Sequence, residues 1–137
     1  MTRRIDFSSR IAAIVVGAAF VFVASFPAIA GDAAVELSVA AEHAGYAADA
    51  SIVTTVHTHL HHTINCLVGP DGQGFDAKEA NPCQGKGNGA LADTTDAVKK
   101  QMLQEAVAKA KEGLASDDLA TAKSNAAAAQ AILRKAM

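Results

Sequence analysis

The stretch Tyr46-Ala47-Ala48-Asp49-Ala50-Ser51-Ile52-Val53 decides the fold. Asp and Ser are good N-caps, so Asp49-Ala50-Ser51 can end one helix and begin another. No proline intervenes, however, and an apolar register runs straight through. Every seventh residue reads Val39, Tyr46, Val53, Leu60, Leu67. A break here makes two helices of a bundle. Continuity makes one helix from about Ala33 to Leu67, bare along half its length and in need of a second copy of the chain.

On the upstream side, Gly31 or Asp32 can open a helix at Ala33. Val35, Val39, Tyr46 and Ala50 form its apolar stripe, with Ala40, Ala44, Ala47 and Ala48 as close-packing surface. His43 follows Glu42 in this segment. On the downstream side, Ile52, Val53, Val56, Leu60, Ile64 and Leu67 gather on one face until Gly69-Pro70 stops the helix.

Residues 69–92 read as a long irregular segment rich in glycine and proline, which is unusual in a compact domain unless it is pinned or functional. Asp71 to Asp76 suggests a calcium loop, but its twelfth position is Pro82 where a Glu is needed. Gly85-Lys86-Gly87-Asn88-Gly89 suggests a phosphate cradle, but no strand precedes it and no Lys-Ser/Thr pair closes it. Phe75 is the expected apolar plug of the loop.

Helix returns at about Asp93, with Thr94 or Thr95 as cap and a stripe of Val98, Met102, Ala106, Val107 and Ala110. Gly113 stops it. Ser116 caps a last helix, whose buried face is Leu119, Ala122, Ala126, Ala129 and Leu133. The chain is 50% hydrophobic yet only 4% aromatic, with no Trp, which favours thin helices in close contact. Four segments of similar length predict an all-α, up-and-down four-helix bundle with a long Gly-rich loop between helices 2 and 3. The alternative is the long helix plus a helical hairpin, assembled as a homodimer.

The first 30 residues predict a signal peptide. Arg3, Arg4 and Arg10 make a basic start, Ile11 to Phe26 is an unbroken apolar run short for a membrane span, and Ala28-Ile29-Ala30 is a small-x-small cleavage site. Residues 31–137 are then the mature helical domain, periplasmic or secreted and free of the membrane. Taking Arg3, Arg4, Arg10 and Asp6 from the totals of 12 basic and 14 acidic side chains leaves 9 and 13, a formal charge of −4. That balance argues against nucleic acid as a partner. In an oxidising compartment Cys66 and Cys83 are expected to form a disulfide that pins the loop, worth about 3 kcal/mol in the chain-entropy model.

The run Val56-His57-Thr58-His59-Leu60-His61-His62-Thr63-Ile64-Asn65-Cys66 holds four of the five histidines. His57 and His61 stand four apart, so they share a helix face and form the leading candidate pair for a metal ion. His59, His62 and Cys66 line a second face at the other edge of the apolar stripe, and in a bent, two-helix version His43 could come round to face His57. Neutral imidazole suits copper or zinc. H-E-x-x-H and C-x-x-C-H are absent, and no nucleophile–base set is legible, so the chain is not expected to be an enzyme.

With its signal peptide, its size, His43-Ala44, the histidine run and Ala106-Val107-Ala108-Lys109-Ala110-Lys111-Glu112-Gly113, the chain resembles small periplasmic His-rich four-helix-bundle proteins that bind divalent metals. The resemblance implies binding of a divalent transition metal, copper among them, confined here to the N-terminal half, since the C-terminal hairpin has no His. The competing expectation is a structural or interaction module of the cell envelope, with the Gly-rich loop as its contact surface.

Overall fold

The computed structural model of the protein describes residues 31–137. The expected signal peptide, residues 1–30, lies outside them. The described chain is all-α: α1 (Ala33–Asp49), α2 (Val53–Val68), a single turn α3 (Ala90–Asp93), α4 (Ala97–Leu114) and α5 (Leu119–Ala136). The four main helices pack antiparallel. α1 lies against α2 and α5, and α4 lies against α5 and α2, so chain order runs round the bundle.

The helix breaks where the opening stretch allowed it. Ala50 and Ile52 are extended, with ψ of 148° and 145°, and α2 starts at Ile52 without a side-chain cap. Carboxylates cap the other three long helices. Asp32 accepts from Ala34 and Val35 N–H, Asp96 from Lys99 N–H, and Asp118 from Thr121 N–H. The caps of α4 and α5 are thus Asp96 and Asp118, not the Thr94/Thr95 and Ser116 expected.

One apolar stripe differs from the heptad reading. Tyr46 is 47% exposed and Val35 is 38% exposed. The buried face of α1 is instead Leu37, Ala40, Ala41, Ala44 and Ala47. Alanine lets helix backbones approach closely, and Thr63 of α2 accordingly reaches the Ala40 carbonyl of α1. Val98 is likewise exposed, and Leu103 takes the core position on α4. Leu37, Val56, Leu60, Leu67, Leu103 and Leu133 fill the centre.

The loop between α2 and α4 is pinned twice. Cys66 and Cys83 are joined by a disulfide, with Cα atoms 5.1 Å apart. Beside Cys66, the wholly buried Asn65 donates to the carbonyls of Asp76, Glu79 and Ala80 and accepts from Asp76 N–H. The loop leaves and returns through Gly69 and Gly89, both at positive φ (71° and 104°). Their backbones lie in contact: a Cβ on Gly69 would fall 1.7 Å from the Asn88 carbonyl oxygen. Phe75 packs half-buried on the core as anticipated. No described helix is long and apolar enough to cross a membrane.

Candidate metal centre

The break at Ala50–Ile52 folds α2 back along α1. His43 and His59 stand eight residues either side of Ser51, so an antiparallel hairpin hinged there sets them face to face. His62, one turn beyond His59, joins them. His43 Nδ1 is 3.1 Å from His59 Nδ1 and 3.3 Å from His62 Nδ1. One ring nitrogen from each histidine lies within 4.8 Å of those of the other two. Three nitrogens bound tetrahedrally to zinc at 2.0–2.1 Å stand roughly 3.3 Å apart, so two of the three edges already have ligand spacing.

The rings are tilted or edge-on to one another, with centroids 5.0–5.6 Å apart. This is not a stack held by its faces. As a hydrogen-bond cluster it is poorly matched. A neutral imidazole nitrogen is either a donor or an acceptor, so His43 Nδ1 can pair well with one of its two Nδ1 neighbours and poorly with the other. A cation there satisfies all three at once.

Electrostatics keep the lone pairs available. Burial, then the neighbouring His62 and His59, lowers the His43 pKa to about 4, against a small opposing pull from Glu42. Burial and His59 also lower His62, opposed by Glu79 of the loop. Neutral imidazole is the ligand form, and the lowered values hold His43 and His62 in it at neutral pH. Tyr46 forms the rim, its ring 5.5 Å from that of His43 and 5.4 Å from that of His59, and its hydroxyl donates to Glu42. The three histidines are half-buried, so the cluster is within reach of solvent.

The leading pair from sequence is not part of this cluster, and His43 faces His59, not the His57 expected. His57 Nε2 bonds the Ser116 carbonyl at 3.0 Å, in the turn between α4 and α5. His61 Nδ1 lies 3.5 Å from the Asp76 carboxylate of the loop. The reason is rotational. Residues 57 and 61 share one flank of α2, residues 59 and 62 the other, and α1 lies on the second flank. Cys66, on the same flank as His62, is committed to its disulfide and supplies no ligand. The contribution of Glu79 and the rim of Glu42 and Tyr46 was not anticipated. The one legible signal was the equal spacing of His43 and His59 about Ser51.

Comparison with protein families, curated proteins and solved structures finds no match to this chain.

Proposed function

We propose that this is an exported metal-binding protein that carries one divalent transition ion, of the copper or zinc class, on His43, His59 and His62. The observation that supports it is the convergence of three imidazole nitrogens from two helices on one point. A three-nitrogen donor set suits zinc and copper and is a poor match to magnesium or calcium. The disulfide accords with an oxidising compartment, which an exported protein meets. We read the role as holding or buffering the ion: three half-exposed ligands leave one position open, from which a metal can be exchanged.

Zinc and copper(II) titrations, followed by calorimetry and by thermal unfolding, test this. We expect saturable binding and a raised Tm in the wild type and in His57→Ala, and loss of both in His43→Ala and His59→Ala. Equal loss in His57→Ala, or binding that survives His43→Ala unchanged, would overturn the assignment of the site.

A further inference from the structure

Zinc in protein sites is mostly four-coordinate, and His43, His59 and His62 supply three ligands. The loop runs along one edge of their cluster. Asn65 is four residues after His61 and three after His62. At 100° per residue its side chain points between the two, about 40° from the first and about 60° from the second. The loop crosses there: Asn65 Nδ2 donates to the carbonyls of Asp76 at 3.0 Å, Glu79 at 3.5 Å and Ala80 at 3.1 Å. Asp76 is on the His61 side, its carboxylate 3.5 Å from His61 Nδ1. Glu79, three residues on, acts on His62, where its charge opposes the lowering of the pKa by burial.

The carboxylates around the centre differ in what holds them. Asp76 is engaged by His61 and by Lys78 N–H. Glu42 is exposed and accepts from the Tyr46 hydroxyl. The half-buried Glu79 carboxylate has no hydrogen bond or ion pair among the described residues, although its backbone is fixed to α2. A charge partly withdrawn from water without a partner is unfavourable, and a cation on the neighbouring imidazoles would relieve it.

We infer that Glu79 is the fourth ligand of the ion held by His43, His59 and His62, a step that rests on the metal centre proposed above. Its carboxylate does not lie within 4.8 Å of all three nitrogens. A Glu side chain has three rotatable bonds, and turning them swings an oxygen toward an ion beside His62 while Asn65 and the disulfide keep the backbone in place. The cargo is then a divalent ion. Three imidazoles and one carboxylate suit zinc or copper(II), and copper(I), which favours sulfur, is selected against. A ligand that swings on also swings off, which keeps the ion exchangeable.

Zinc chloride titrations at neutral pH, followed by calorimetry, test the assignment. Glu79→Gln keeps the size of the side chain and removes the charge. Without zinc it should unfold at the wild-type temperature. Its zinc Kd should rise by at least about tenfold, since even groups that only orient a metal ligand are worth roughly 10–100-fold. Glu42→Gln should bind zinc as the wild type does. The tenfold gap should persist in about 0.5 M sodium nitrate, where the Debye length is about 4 Å and a charge acting only through space is screened. Equal affinity in Glu79→Gln and wild type, or a gap that closes with salt, would overturn the role of Glu79 and leave the three-histidine site standing. Failure of the histidine centre itself looks different: the wild type takes up no zinc, or His43→Ala binds it unchanged, and Glu79 then has no ion to complete.

Discussion

His43 and Glu36 lie two turns apart on one helix, and burial drives them in opposite senses. His43 is lowered from 6.5 to about 4, so the folded state binds fewer protons than the unfolded chain between those values. The stability it contributes is complete above pH 6.5 and is lost as pH falls toward 4. Glu36 is raised from 4.5 to about 7, chiefly by burial. Its contribution is complete below pH 4.5 and is lost as pH rises through 7. Each full window is worth at most about 3 kcal/mol at 1.36 kcal/mol per unit, and less for half-buried His43. In metal-free protein the two slopes oppose between pH 4.5 and 6.5. Denaturant unfolding of Glu36→Gln should therefore show stability rising with pH across that interval, and of His43→Ala stability falling across it. Parallel slopes in the two variants would contradict the assignment. Neither residue was legible in this role. Nothing in an Ala-rich helix marks Glu36 as the inward-facing charge, because the alanine face offers no contrast in side-chain size to set its rotation.

Among the elements, the bundle itself was readable because each boundary carried its own chemistry. Gly69-Pro70 ended α2, Gly113 preceded the turn into α5, and Thr, Ser and Asp clustered at the starts of α4 and α5, although the cap in each proved to be the Asp. The rotation of each helix about its axis was harder to read. Tyr46 continued a heptad on paper but stands on the rim of the histidine centre, and that rotation decided which histidines met. The loop was legible through its cysteines but not through Asn65, since one Asn in a helix carries no pattern. The disulfide and Asn65 together hold the loop, and their loss should be felt separately. Bridging residues 17 apart stabilises by about 3 kcal/mol, so Cys66→Ser with Cys83→Ser should lower Tm by roughly 12–20 °C. Asn65→Ala, with the disulfide intact, strands one buried N–H and the carbonyls of Asp76, Glu79 and Ala80, for about 2–4 kcal/mol. If Asn65→Ala unfolds no earlier than wild type, the loop is held by its bridge alone.

At the scale of the whole molecule, the break at Ser51 decides which histidines meet. A continuous helix would have set His43 about 24 Å from His59 at 1.5 Å per residue, and only a second chain could then have completed a site. The hairpin instead closes the site within one chain, and the same folding encloses a core that draws on all four helices. The histidine-free α4–α5 hairpin serves as the other half of that core and adds no ligand. Metal binding should therefore leave the mass of the assembly unchanged. Native mass spectrometry of residues 31–137 with zinc should show one ion per chain and no shift in oligomeric state, and sedimentation should agree. Half an ion per chain, appearing with a doubled mass, would mean that the half-exposed rings bridge two copies. In that case the fourth position on each chain is filled by its neighbour, and the protein stores metal by pairing instead of holding it alone.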